Sequence, residues 1–133
     1  KGNLDLMMRL IKKGFFPPLP DYDTRKALVH VDDVARAILF ILQKQNLNNE
    51  IFCLTDGNLY TPRDIYKELS ISIGKSPKNY QIPYYAFKTF SYFPYLRSAI
   101  NKIFEDEPYS SAKIQSLGFK PLFDLKQINE KAF

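Results

Sequence analysis

The segment from residue 25 to residue 38 constrains the fold of this chain more than any other. It reads Arg-Lys-Ala-Leu-Val-His-Val-Asp-Asp-Val-Ala-Arg-Ala-Ile, so a basic pair is followed by a short apolar run and then by two aspartates. The apolar run predicts a strand over residues 28–31. Asp32 is the predicted N-cap of the helix that follows, and Asp33 adds negative charge at the positive end of the helix dipole. Apolar residues at helical spacing after Asp33 predict that this helix packs one face against a core.

The length and charge of the chain limit its function classes. Its 133 residues suit one domain, which we assign to residues 1–133. The formal net charge is +5, but adjacent basic residues occur only at Lys12-Lys13 and Arg25-Lys26, without interleaved aromatics. This pattern does not favour nucleic-acid binding, whereas a modest positive field favours an anionic small molecule such as a nucleotide diphosphate. No apolar run approaches the length of a membrane span.

The chain has one cysteine, Cys53, and one histidine, His30. Cys53 lies in an apolar run and is predicted to be a core thiol, and such cysteine usage is typical of a reducing, cytoplasmic compartment. The two residues are far apart in sequence, so the pattern predicts no metal site and no Cys-His pair. His30 is interpreted as a structural residue of the strand. The acidic run at residues 105–107 is interpreted as a solvated loop.

Helices dominate the predicted secondary structure. Apolar spacing predicts a helix that begins beside Asn3 and ends at Gly14. The Thr-Pro-Arg-Asp sequence at residues 61–64 predicts a helix capped by Thr61, with a proline in its first turn and an acidic third residue. One further helix is predicted to begin at Pro83 and to end before Pro94, and another is predicted to end near residue 104. Two more are predicted, one capped by Ser110 and ending at Leu117, and one that begins after Asp124. The only predicted strands cover residues 28–31, 50–55 and 80–83, so the chain is predicted to be a helix-rich α/β or α+β piece.

The segment at residues 25–38 also resembles the R-x-[FL]-[IV]-H-V-x-D-[VL]-A segment of the extended short-chain dehydrogenase/reductase family. This family includes the NAD-dependent epimerases and dehydratases of nucleotide sugars. Three further stretches are similar to the C-terminal half of that family, in the same order: residues 1–4, residues 51–65 and residues 109–121. The loop Pro18-Leu19-Pro20 is similar to that of bacterial UDP-sugar 4-epimerases in surface-polysaccharide pathways.

The resemblance implies that the chain is the C-terminal, substrate-binding part of such an enzyme and lacks the N-terminal Rossmann half. In the family, the catalytic Tyr-x-x-x-Lys pair and the NAD-binding turn belong to the missing half. The chain contains this spacing at Tyr84 and Lys88 and again at Tyr109 and Lys113, but both pairs follow the 25–38 segment and are interpreted as non-catalytic. It contains no G-x-G-x-x-G turn. No catalytic, NAD-binding or metal-binding residue is therefore assigned, and the chain alone is expected to be inactive and to bind NAD poorly.

The resemblance also implies a set of substrate contacts. The family's phosphate-binding arginine stands four residues before the histidine, where this chain has Lys26, and Arg25 is one residue earlier. Neighbours along a strand point to opposite faces, so only one of the two is expected to reach the ligand. A second phosphate contact aligns with Lys102, with Arg97 as the alternative. The implied contacts are Asn3, Leu4, Leu19, Arg25 or Lys26, and Lys102.

The sequence leaves more than one class of function open. The first is the substrate-binding part of an epimerase or dehydratase that acts on a UDP-hexose or UDP-N-acetylhexosamine. Its expected partner is its own N-terminal half, and a homodimer of the intact enzyme is compatible with this function. The alternative is a non-catalytic regulator or scaffold with the same fold. A self-sufficient binding module is less favoured, because a helix is already running at the first residues of the chain.

Overall fold

The structure, a computed structural model, describes residues 3–45, 47, 49–90, 92, 97 and 101–127, without the side chains of Asn3, Phe87 and Phe90. Its elements in chain order are α1 (Asn3–Lys12), β1 (Lys26–Ala27), α2 (Val31–Leu42), β2 (Leu59–Tyr60), α3 (Pro62–Ser72), α4 (Tyr84–Phe90) and α5 (Ala112–Ser116). Residues 101–104 are also helical, and a 3-10 turn covers Leu125–Gln127. The described part is therefore helix-rich with one two-stranded sheet, consistent with the predicted fold class.

The main core lies between α1 and α3. Its buried side chains are Met7, Met8, Ile11, Leu19, Ile65, Tyr66, Leu69 and Leu125. The helical spacing of the apolar residues in α1 and α3 gives each helix one apolar face, and burial of these faces drives their packing. The loop at residues 15–23 has no regular structure, as its prolines predict, and it carries Leu19 into this core. Gly14, with a φ of 78°, ends α1 as predicted.

The start of α3 is the most accurately predicted feature of the fold. The hydroxyl of Thr61 accepts a hydrogen bond from the Asp64 N–H at 3.1 Å, and the Asp64 carboxylate accepts one from the Thr61 N–H at 3.0 Å. Pro62 is the first helical residue. This reciprocal capping box satisfies two backbone donors that a helix N-terminus leaves without intrahelical partners.

The 25–38 segment differs from its prediction in register. The strand is β1, at Lys26–Ala27, and residues 28–30 have no regular structure. The N-cap of α2 is His30 and not Asp32, because the His30 Nδ1 accepts the Asp32 N–H at 3.2 Å. Both aspartates therefore lie in the first turn of α2, where their charge is favourable to the helix dipole.

The two other predicted strands do not form in the described part of the chain. Residues 50–55 and residues 80–83 lack a strand ladder. Instead, β1 pairs with β2 in an antiparallel register that aligns Lys26 with Tyr60 and Ala27 with Leu59. The predicted burial of Cys53 is also wrong, since its side chain is exposed. The apolar run within residues 50–55 predicts a short strand, but it does not specify the neighbouring strand with which a ladder would form.

A second, smaller core consists of Ala37, Ile114 and Phe119, so it joins α2 to α5. Ser111 is the N-cap residue of α5, one residue later than the predicted cap Ser110. Gly118, with a φ of 100°, ends α5 and lets Phe119 turn into this core. After Asp124 the chain forms the 3-10 turn, and residues 128–133 of the predicted last helix lie outside the described residues. The same is true of Asn46, near which the helix after Asp33 is predicted to end, and of Asn48 in the predicted Asn48-Asn49 turn.

Candidate nucleotide-sugar site

The backbone around β1 is fixed by the acidic run that precedes Pro108. The Arg25 N–H donates to the Asp106 carboxylate at 2.7 Å, and the Arg25 carbonyl accepts the Glu107 N–H at 2.8 Å. The Ala27 N–H in turn donates to the Glu107 carbonyl at 3.0 Å. Residues 105 and 106 are exposed, as the interpretation of this run as a solvated loop predicts, but the run also hydrogen-bonds to the segment that carries the two candidate basic residues.

Arg25 and Lys26 occupy different environments. Lys26 is buried, and its Nζ lies 2.9 Å from the Glu107 carboxylate. Arg25 is exposed, and its guanidinium contacts the more exposed carboxylate of Asp23 at 3.0 Å. The two neighbours therefore differ in burial, and which of them reaches a ligand stays a prediction. Only the Arg25 side chain is accessible to a ligand from solvent without breaking a buried ion pair.

Three aromatic rings cluster near the start of the segment that carries Arg25. Tyr22 and Tyr84 stack with ring centroids 4.5 Å apart and an interplanar angle of 14°, and Phe104 meets both rings edge-on. The cluster is linked to the segment of Arg25 by Thr24, whose hydroxyl donates a hydrogen bond to the Phe104 carbonyl at 3.1 Å. Repulsion between the Tyr22 and Tyr84 phenols is the main reason why the pKa of Tyr22 is raised. The cluster is therefore joined to the residue that precedes Arg25 in the chain.

Lys102 lies in the helical stretch at residues 101–104, two positions before Phe104, and its side chain is exposed. In the same stretch, the Phe104 ring meets the Tyr22 ring edge-on, and the Phe104 carbonyl accepts the hydrogen bond from Thr24, the residue before Arg25. Arg97, the alternative to Lys102, is exposed and helical. Phe104 thus links the helical stretch that carries Lys102 to Tyr22 and Thr24.

Two of the remaining predicted contacts, Leu4 and Leu19, belong to the main core. Asn3 is the first residue of α1 rather than its cap, and its side chain is not among those described. Leu4 is half-buried against the main core, and Leu19 is buried within it. The Leu19 carbonyl already accepts a hydrogen bond from the buried Arg63 guanidinium at 3.1 Å. A ligand would therefore meet Leu19 through its backbone, whereas the half-buried side chain of Leu4 is partly accessible.

The two Tyr-x-x-x-Lys spacings have different surroundings. Tyr84 is part of the aromatic stack, whereas Tyr109 is exposed and Lys113 pairs with Glu50 at 2.5 Å. His30 caps α2 and stacks on Phe123 with centroids 4.7 Å apart, so its interpretation as structural is supported, although it caps a helix and does not lie in a strand. Among the described residues, no group of three or more His, Cys, Asp or Glu side chains could hold a metal ion.

Sequence reasoning missed three residues that shape this region. Glu107 neutralises Lys26, Asp106 orients the Arg25 backbone, and Tyr22 stacks on Tyr84. Each of these contacts joins residues more than 60 positions apart, and local periodicity carries no signal for such pairs. The one relevant signal in the sequence is its high aromatic content, with nine Tyr and eleven Phe, which favours contacts between rings.

No helix in the part of the chain that the structure describes is long and apolar enough to cross a membrane.

Comparison with known proteins gives one distant relative. Over 93 residues, or 68% of this chain, the sequence is 26% identical to a UDP-glucose 4-epimerase of Vibrio cholerae. The match covers 28% of that protein, so the chain spans less than a third of the relative's length. No protein-family model matches the chain. The similarity supports an epimerase-like relationship.

Proposed function

We propose that this chain is the C-terminal, substrate-binding part of an NAD-dependent nucleotide-sugar epimerase. Its substrate would be a UDP-hexose or a UDP-N-acetylhexosamine used in surface-polysaccharide biosynthesis. The single observation that carries the proposal is the similarity to a UDP-glucose 4-epimerase. The accessible Arg25, three residues after Tyr22 of the aromatic cluster, adds a physical reason, because a cation and a ring surface suit the diphosphate and the base of a nucleotide.

Within this proposal, Arg25 and not Lys26 contacts the diphosphate. An exposed ion pair contributes only about 0–1 kcal/mol, so a phosphate can replace Asp23 beside Arg25 at little cost. Separating Lys26 from Glu107 is less favourable, because the Lys26 side chain is buried and would lose its counter-charge. The guanidinium also presents two parallel N–H donors to a phosphate, which an ammonium group does not.

Lys102 is the proposed second cation, and Asn3, Leu4 and Leu19 remain proposed contacts of the uridine diphosphate. Lys102 is exposed and lies two residues before Phe104 of the aromatic cluster, so its flexible side chain is free to approach a phosphate from solvent. The net charge of +5 favours approach of an anionic nucleotide from solution.

NAD does not fit the residues of this chain. The sequence has no Gly-rich dinucleotide turn, and the described glycines stand singly in turns at the ends of helices or between strands. The proposal therefore gives the NAD site and the catalytic Tyr-x-x-x-Lys pair to a separate N-terminal half. The role left to this chain is to hold the diphosphate while the sugar turns.

Calorimetric titration of the 133-residue chain tests the proposal directly. UDP-glucose and UDP should bind with similar affinity, because the diphosphate and the base supply the contacts, and free glucose should give no heat. NAD⁺ should bind at least tenfold more weakly than UDP, a difference of about 1.4 kcal/mol. Absence of UDP binding, or NAD⁺ binding as tight as that of UDP, would overturn the proposal.

A further inference from the structure

One stretch of the chain, residues 69–104, differs from the rest in charge and in composition. It contains five of the 19 basic residues and none of the 14 acidic residues. The remainder of the chain therefore has 14 residues of each sign, and this stretch carries the whole net charge of +5. It also contains nine of the 20 Tyr and Phe residues. Basic residues interspersed with aromatic ones favour contact with a surface that is anionic outside and apolar beneath.

Tyrosine and lysine side chains of this stretch are exposed on α4 and just after it. Tyr85 and Lys88 are three residues apart in α4, so they lie on the same face of the helix, and both are exposed. Tyr92 follows two residues beyond the end of α4. Tyr85 is 78% exposed and Tyr92 is 85% exposed. Packing within the described part of the chain does not account for rings as exposed as these.

A second lysine and tyrosine lie just before α4. The Nζ atom of Lys78 is 5.6 Å from the centroid of the Tyr80 ring, and both residues are exposed. A cation over a ring face is a favourable arrangement at an exposed site. The stretch therefore presents an ammonium group and an aromatic ring together on each side of Pro83.

Both pairs are connected to the proline-containing loop that precedes β1. The Asp21 N–H donates to the side-chain carbonyl of Gln81 at 3.2 Å, one residue after Tyr80. The Tyr85 ring meets the Tyr84 ring at a centroid distance of 5.8 Å, and Tyr84 stacks on Tyr22 of the same loop. Asp21 is exposed and adds one negative charge near the two lysines. The loop thus supports the chain on both sides of Pro83.

We propose that Lys78, Tyr80, Tyr85, Lys88 and Tyr92 form an aromatic–lysine surface that binds the headgroup layer of an anionic lipid bilayer. Tyrosine rings suit this layer, because their apolar bodies enter the acyl boundary while their hydroxyls stay hydrated. Lysine stems lie along the same boundary, and their ammonium groups are attracted to anionic headgroups. Such binding is peripheral and needs no spanning helix. The inference does not depend on the proposed function.

A single-stranded nucleic acid is the competing occupant, because it also combines anionic groups with partners for aromatic rings. Base stacking needs a free ring face, whereas Lys78 lies over the face of Tyr80. A bilayer interface accepts a ring and an ammonium group side by side. The observed arrangement therefore favours lipid over nucleic acid.

Sedimentation of the 133-residue chain with lipid vesicles tests the proposal. Partitioning onto phosphatidylcholine vesicles that contain about 30% phosphatidylglycerol should be at least about tenfold stronger than onto phosphatidylcholine alone, and high salt should weaken it. The double substitution K78E/K88E should reduce the partitioning about tenfold. K44E/K120E is the matched control, because it changes the net charge equally at exposed lysines outside residues 69–104, and Lys44 also lies over a ring, that of Phe40 at 4.7 Å. The control should lose much less binding than K78E/K88E.

A second variant tests the rings at constant charge. Y85S/Y92S should weaken partitioning onto the anionic vesicles about threefold or more, because two interfacial rings are lost. Equal partitioning onto neutral and anionic vesicles, equal losses for the two lysine variants, or unchanged binding of Y85S/Y92S would each overturn the proposal. So would binding to a thymidine oligonucleotide, lost in K78E/K88E, by a chain that does not bind vesicles.

Discussion

At the scale of single residues, Asp33 shows how one side chain holds distant parts of the chain together. It is 0% exposed, and its carboxylate accepts the N–H groups of Leu122 and Phe123 at 3.0–3.1 Å as well as a hydrogen bond from Arg36. Burial alone would raise the pKa of Asp33, but these hydrogen bonds and the Arg36 charge outweigh it and lower the pKa. The residue therefore has a structural role in anchoring the chain after α5 to α2.

The substitution D33N should lower the free energy of unfolding by about 1–3 kcal/mol, the usual cost of weakening a buried charged hydrogen-bond network. The carboxylate is more acidic in the folded state, so its stabilisation is complete above the unfolded pKa of about 4 and is lost as the pH falls through the folded pKa. Urea unfolding from neutral pH down to acid should show the difference between wild type and D33N shrinking. A difference that stays constant with pH would contradict this account.

The Tyr60 hydroxyl is predicted to lose its proton at a higher pH in the folded protein than in the unfolded chain. Burial is the largest cause, followed by the hydrogen bond that its hydroxyl donates to Asp56 at 2.5 Å, and together they raise the pKa of Tyr60 to about 12. The unfolded chain loses this proton near pH 10, so the folded state is stabilised below that pH and loses this stabilisation between about pH 10 and 12. Alkaline unfolding of wild type should be steeper in this range than that of Y60F. Parallel curves for the two proteins would contradict the raised pKa.

At the scale of elements, the helices were predictable and the strands were not. The start of α3 depends on residues 61–64 alone, so the sequence specifies it locally. In contrast, β1 is held by Glu107, whose carboxylate bonds a lysine 81 positions earlier, and by β2. Residues 28–31 had the right composition for a strand, but the helix cap at His30 ends the extended backbone there.

The capping box of α3 gives a quantitative prediction. The substitution T61A removes the acceptor for the Asp64 N–H and should lower stability by about 1 kcal/mol, within the usual range of about 0.5–2 kcal/mol for N-caps. T61S keeps the hydroxyl and should recover most of this loss. Chemical denaturation of the three proteins measures the effect. Equal losses for T61A and T61S would show that the methyl group, and not the hydroxyl, matters at this position.

At the scale of the whole molecule, the described residues form one main core and one thin core. The thin core has only three buried apolar side chains, and the exposed face of α2 and the unpaired segment at residues 50–55 lie around it. Sequence patterns predicted that residues 50–55 are extended and that α2 is amphipathic. They could not predict which of Arg25 and Lys26 is accessible, because that depends on Glu107, which only the fold brings beside Lys26.

The dissociation constant of UDP for Arg25→Ala is the measurement that tests the central claim most directly. A hydrogen bond to a charged group contributes about 1.5–3 kcal/mol, so the substitution should weaken binding by about ten- to a hundredfold. Arg9→Ala is the matched control, because Arg9 is also an exposed arginine paired with a nearby carboxylate, Asp5 at 2.7 Å, but lies on α1. The account predicts that Arg9→Ala binds UDP like wild type. Equal UDP affinity for Arg25→Ala and Arg9→Ala would contradict it.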